Sequence, residues 1–212
     1  MATLQRIDDL IIKDYYYLDS DDECYFFHVY IANKVYSSNP FNQLIGNFKK
    51  SLDRKGKPDF LYKIKAISQI GSILREMICE DNSPVTLIPI PPSKCKEDEL
   101  YDDRMVKALE IATKNLENVY VKDIIELTNN RPSSHSSTHS RLNPTELHEI
   151  LKINKNSIIQ TVDVILVDDV ITTGSQFKAC KELILQKYPN ANVIGLFICR
   201  TQHASAADDF DD

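Results

Sequence analysis

Two adjacent carboxylates, Asp168 and Asp169, follow the apolar run Val164-Ile165-Leu166-Val167, and the turn Thr172-Thr173-Gly174-Ser175 comes directly after. Neighbouring aspartates repel each other, and the apolar run behind them strips away part of their hydration. Such a pair needs donors or a cation nearby. A vicinal diol supplies two donors, one for each carboxylate. The small-residue turn opens a predicted helix over 175–187, and the start of a helix can cradle a phosphate with N–H groups and hydroxyls. Gly174 is one of only five glycines in the chain, so its placement here is informative. Diol-binding carboxylates followed by a phosphate cradle fit a ribose 5-phosphate. The plain alternative, a strand-ending turn with Ser175 as a helix cap, accounts for one acidic residue better than for two.

The elements around this stretch must place it. Residues 9–17 and 24–36 are aromatic and β-branched and predict two strands joined by an acidic turn. Asn39 and Pro40 start a helix, and residues 60–80 carry apolar residues at helical spacing. A strand over 84–90, a helix over 102–116 and a strand over 118–127 follow. Residues 128–145 are polar and Ser-rich and read as a loop. A helix restarts at Pro144, and then come a strand over 162–168, the turn 169–174, the helix 175–187 and a strand over 192–199. Near-continuous apolar strands alternating with helices predict an α/β fold with a parallel sheet covered on both faces. Ligands in such sheets bind beyond the carboxyl ends of the strands, where Asp168 and Asp169 fall.

Bulk properties narrow the classes. The 212 residues are 42% hydrophobic and 26% charged, ordinary for one soluble domain with a real core. A net charge of −6 argues against non-specific duplex binding. No apolar run approaches the roughly 20 residues of a spanning helix, and the first ten residues lack a signal peptide's apolar centre. Cys24, Cys79, Cys95, Cys180 and Cys199 are scattered, without a C-x-x-C pair. They read as reduced thiols of a cytoplasmic protein with no zinc ribbon.

The stretch "VILVDDVITTGS" resembles the phosphoribosyl pyrophosphate signature of type I phosphoribosyltransferases. The wider likeness, over roughly residues 40–201, is to the ComF-like branch of competence proteins. "NQLIGNFKKSLDRKGK" is similar to that branch's apolar helix ending in lysine. "TLIPIPPSKCKEDELYDDR" resembles its strand and pyrophosphate loop, "RPSSHSSTHSRLNP" its mobile loop, and "VIGLFICRT" its closing strand. Two departures stand out. The zinc-ribbon cysteines are replaced by an aromatic segment, and of the branch's "RGFNQ" run only Arg104 carries over.

The resemblance implies a type I phosphoribosyltransferase core over 39–202 with an N-terminal β hood over 1–38, and the acidic composition of 203–212 reads as a flexible tail. The resemblance also implies transfer of phosphoribosyl from the magnesium-bound pyrophosphate donor to an acceptor that the sequence does not identify. Asp168 and Asp169 would hold the ribose hydroxyls, with Mg²⁺ nearby but reached through donor and water. Val170, Ile171, Thr172, Thr173, Gly174 and Ser175 would line the donor's 5-phosphate end, and Pro92, Ser93, Lys94 and Arg131 its pyrophosphate. Arg104 and Arg141 join the two aspartates as catalytic candidates. Thr172 stands where 6-oxopurine enzymes of the family carry a candidate aspartate base, which disfavours hypoxanthine or guanine as acceptor. The alternative from another class is a non-catalytic donor sensor, or a nucleic-acid-associated component of DNA uptake or anti-phage defence. A homodimer or a partner protein is compatible with either, and no membrane is implied.

Other features have plainer readings. His135 and His139 have the spacing of a metal pair only on a helix, and "SSHSSTHS" does not read as one. His28 reads as structural, and Cys180 and Cys199 as small core residues. Tyr15, Tyr16 and Tyr17 could stack a base, but they read more readily as packing of the N-terminal segment. Lys49 and Lys50 belong to a basic cluster of the kind that usually ends a solvated helix.

Overall fold

The computed structural model describes residues 4–32, 40–78, 83–131 and 142–203. In chain order these form β1 (Gln5–Arg6), β2 (Cys24–Ala32), α1 (Pro40–Phe48), α2 (Phe60–Ile78), β3 (Val85–Pro89) and α3 (Arg104–Thr113). Then come β4 (Val119–Val121), β5 (Ile125–Leu127), α4 (Pro144–Ile150), β6 (Leu151–Ile153), β7 (Asp163–Ile171), α5 (Ser175–Lys187) and β8 (Asn192–His203). The main sheet has the order β1-β2-β8-β7-β3-β4. Every pairing is parallel except β1 with β2. β5 and β6 form a separate antiparallel pair.

Two apolar layers sandwich the sheet. On one face Val164, Leu166, Ile88 and Phe197 pack with Phe177, Cys180 and Ile184 of α5 and Leu147 of α4. On the other, Leu87, Val167, Leu196 and Ile198 pack with Ile45 of α1, Ile70 and Leu74 of α2, and Leu109 of α3. The α/β class with a mostly parallel, helix-flanked sheet is therefore as expected. The helices over 60–78 and 175–187 fall where apolar spacing put them, and α4 begins with a capping box between Asn143 and Glu146. Cys180 and Cys199 are buried in the core, and burial pushes both thiols up to about 12. His28 stacks on Phe41 with ring centroids 3.3 Å apart. Among the described residues, no helix is long and apolar enough to cross a membrane.

Four expectations need correction. Residues 9–17 do not form a strand. Asp8 accepts from the Leu10 N–H at 3.0 Å and the Ile11 N–H at 3.3 Å, and a 3₁₀ turn over Ile12–Asp14 follows. Local aspartate turn chemistry overrides the β propensity there. The second N-terminal strand does not stand apart in a hood: β2 pairs along its length with β8 in the main sheet. The 118–127 strand breaks into β4 and β5, which lie in different sheets. β7 also runs on through Ile171, so both aspartates lie within the strand rather than in the turn. Arg141, His135 and His139 lie outside the described residues, as do all but the first residue of the 203–212 tail.

Candidate functional site

The period-two pleat of β7 sends its two aspartates to opposite faces. Asp168 continues the series Val164, Leu166 toward α5, and Asp169 continues Ile165, Val167 toward the α1–α3 layer. Their surroundings differ accordingly.

Asp169 is only 3% exposed. Lys49 Nζ meets its Oδ1 at 2.9 Å, and Arg104 Nη2 donates to its Oδ2 at 2.9 Å. Lys49 follows the last residue of α1, and Arg104 opens α3. Arg104 Nη1 donates to Asp102 Oδ2 at 2.8 Å, and Lys63 Nζ donates to the same oxygen at 2.7 Å. Lys63 Nζ also donates to the Phe48 carbonyl at 2.8 Å. Lys49, Asp169, Arg104, Asp102 and Lys63 thus alternate in sign along one continuous network. Burial alone would raise the Asp169 carboxyl, but Lys49 and Arg104 outweigh it and hold the group down near 2.

Asp168 has the opposite balance. Burial and the adjacent Asp169 charge push its carboxyl up to about 7, and Lys49 and Arg104 offset this only in part. Its Oδ1 accepts from the Asp169 N–H at 2.7 Å. Among the described residues no cation forms an ion pair with it. Arg131 stands within electrostatic reach, anchored elsewhere: its Nη2 donates to the Pro91 carbonyl at 3.2 Å and its N–H to the Ser93 carbonyl at 2.8 Å. Burial lowers the Arg131 guanidinium, with Asp168 as the first opposing influence, and its Nε is buried without a partner. Among the described residues Asp168 therefore has no cation of its own, while each Asp169 oxygen already holds one.

The turn beyond β7 is set by a glycine packed closely against the N-terminal segment. Gly174 has φ +83°, the left-handed region, and a Cβ there would come within 2.7 Å of Leu18 Cδ2. The first N–H groups of α5 have no acceptor inside the helix. Thr173 Oγ1 donates to Ser175 Oγ at 3.2 Å. The Thr173 carbonyl is turned the other way, accepting from the Tyr17 N–H at 3.0 Å. The N-terminal segment thus braces the turn from behind. It is fastened to α5 by Asp22, whose carboxylate meets Lys178 Nζ and Lys181 Nζ, each at 2.7 Å. Tyr15 is buried in this brace, whereas Tyr16 is 83% exposed.

Of the residues singled out in the sequence, Asp168, Asp169, Val170 and Ile171 on β7, Thr172 to Ser175 in the turn, and Arg104 gather at one place. Pro92, Ser93 and Lys94 follow β3, the neighbour of β7, and are joined to Arg131 through Ser93. Lys94 Nζ lies 3.6 Å from Asp98. Lys96 Nζ, two residues further on, lies 2.7 Å from Asp123 and 3.1 Å from Glu126. Sequence reasoning assigned no role in the site to Lys49, Lys63, Asp102 or Asp22. Lys49 was visible only as part of a basic cluster, and nothing in the spacing linked Lys63 to Asp102 or Asp22 to α5.

No protein-family model matches the chain, and no curated protein is significantly similar to it. Among solved structures, a hypoxanthine phosphoribosyltransferase from Staphylococcus aureus aligns over 66% of this chain and 74% of its own, at 15% identity and a TM-score of 0.38. An adenine phosphoribosyltransferase from Saccharomyces cerevisiae aligns over 65% of this chain and 68% of its own, at 19% identity and a TM-score of 0.33.

Proposed function

We propose that the chain binds magnesium-complexed phosphoribosyl pyrophosphate and transfers its phosphoribosyl group to an acceptor, with release of pyrophosphate. One observation carries this reading. Asp168, a carboxylate that pairs with no cation among the described residues, stands on the strand that leads directly into a left-handed glycine turn and a helix N-terminus. In this reading Asp168 accepts from a ribose hydroxyl, and Asp169, held by Lys49 and Arg104, fixes the strand end and keeps the local charge balanced. Thr172 to Ser175 hold the 5-phosphate. Arg131 and the Pro92-Ser93-Lys94 turn face the pyrophosphate, with Arg141 as a further cation from the sequence pattern.

Asp168 offers the hard oxygen that Mg²⁺ prefers, but one carboxylate is not a metal cage, so donor oxygens and water would complete the coordination. When bound, the ion neutralises charge that grows on the leaving group. The bond from ribose C1 to pyrophosphate breaks, a bond from the acceptor forms at C1, and the acceptor loses a proton. The protein's part is to hold ribose and pyrophosphate apart and to stabilise the departing anion. Thr172 offers no carboxylate base for a purine nitrogen, which disfavours 6-oxopurine acceptors. Buried thiols at Cys24, Cys180 and Cys199 fit a reducing, cytoplasmic setting.

The carboxylate partners of Lys94 and Lys96 support a second reading, in which the donor is bound but not turned over. This is the sensor or defence-component role of a ComF-like protein. Pyrophosphate release measured across a panel of nucleobases and small metabolites separates the two. Release that depends on one acceptor supports transfer. Donor binding without release under any acceptor supports the sensor.

A further inference from the structure

Arg200 stands near the carboxyl end of β8, in register with Ile171, the last residue of β7 before the Thr172–Ser175 turn. Its guanidinium carbon lies 5.4 Å from the centre of the Phe26 ring. Phe26, Tyr15, Ile171 and Phe177 belong to one apolar cluster, so the guanidinium sits on the α5 face, beside the strand end from which the turn departs. Among the described residues no carboxylate pairs with it. Its Nε and Nη1 are both buried without a hydrogen-bond partner. Tyr15 is beside it, only 2% exposed, with its hydroxyl turned to the guanidinium. Tyr15 belongs to the same brace whose Tyr17 N–H binds the Thr173 carbonyl.

A buried guanidinium that has a tyrosine hydroxyl beside it but no counter-ion among the described residues is costly unless an anion completes it. Guanidinium N–H groups left without an acceptor suit an oxyanion, and the planar guanidinium favours phosphate. We infer that Arg200 and Tyr15 form a side-chain anchor for a phosphomonoester dianion seated at the Thr172–Ser175 turn. The inference rests on the reading of that turn as a phosphate cradle. It adds a charged determinant to a cradle otherwise made of backbone N–H groups and hydroxyls. The site then selects phosphorylated over free ribose, and Phe26 fixes the guanidinium's orientation by stacking.

The test is calorimetry with ribose 5-phosphate, ribose, inorganic phosphate and phosphoribosyl pyrophosphate with Mg²⁺, on native protein and on Arg200→Met, Arg200→Lys and Tyr15→Phe. Arg200→Met should weaken ribose 5-phosphate about 30-fold and Tyr15→Phe about five-fold, the scale of lost charge-assisted and neutral hydrogen bonds. Arg200→Lys should keep part of the affinity, and any binding of unphosphorylated ribose should not change. Should Arg200→Met fail to fold, Arg200→Lys and Tyr15→Phe carry the same comparison. Donor binding that ignores Arg200 and Tyr15 overturns the anchor and leaves the proposed function standing. Arg200-dependent binding of phosphate or ribose 5-phosphate without donor binding does the reverse. A native protein that binds none of the four probes overturns both.

Discussion

Lys63 Nζ lies 2.7 Å from Asp102 Oδ2, with the two side chains only 2% and 11% exposed. Because the same ammonium holds the Phe48 carbonyl, it ties the end of α1, which delivers Lys49, to the residue that orients Arg104. One buried lysine thereby positions both cations on Asp169. Replacing it with Met leaves Asp102 and the α1 carbonyl short of a donor. We expect Lys63→Met to cost about 3 kcal/mol, the scale of breaking a buried ion pair. Denaturant unfolding measures that cost. Carboxyl NMR of the ligand-free variant should also show the Asp169 carboxyl titrating at higher pH than in the native protein.

The two aspartates predict opposite dependences of stability on pH. The Asp169 carboxyl is depressed, so its contribution is present above the unfolded carboxyl range and is lost as pH falls toward 2. The Asp168 carboxyl is raised to about 7, so the folded state holds its proton more tightly than the unfolded state. Its cost is absent below the unfolded range near pH 4, grows as pH rises, and is complete above about 7. Asp168→Asn should therefore match the native melting temperature at pH 4 and exceed it at pH 8. Thermal unfolding across that range checks the sign, and a variant less stable at pH 8 would count against an unpaired carboxylate.

Gly174→Ala meets two obstacles, the positive φ and the Leu18 side chain. The left-handed conformation alone costs a residue with a Cβ about 1–2 kcal/mol. The clash adds to it, so a loss of about 3 kcal/mol is expected, seen as a lower denaturant midpoint.

Asp22 is withdrawn from solvent and carries two lysines. Asp22→Ala should loosen the N-terminal brace while leaving the strand order intact. Hydrogen exchange at the Tyr17 amide, which binds the Thr173 carbonyl, should accelerate more than exchange at the β7 amides.

The local pattern was legible wherever one element speaks for itself. The run Val164–Val167, the glycine turn and the apolar spacing of α2 and α5 specify their own conformations. The two aspartates were recognisable as a candidate site because adjacent charges at the end of an apolar strand demand partners. What those partners are depends on long-range folding. Lys49, Arg104 and Asp169 come from α1, α3 and β7, and no periodicity links them. The N-terminal segment misled for a related reason. Tyr15 to Tyr17 have strand propensity, but burial of Tyr15 against the Arg200 side and the ties of Asp22 to α5 decide their course. The aromatic run over 24–32 signalled a strand but not its partner, which is β8, more than 150 residues later.

Calorimetric titration of native protein and Asp168→Asn with phosphoribosyl pyrophosphate and Mg²⁺ tests the central claim most directly. The account predicts saturable binding by the native protein and affinity at least about ten-fold weaker in Asp168→Asn, since a carboxylate acceptor for a ribose hydroxyl is lost while the fold is kept. No binding by the native protein, or equal binding by the folded variant, would contradict it.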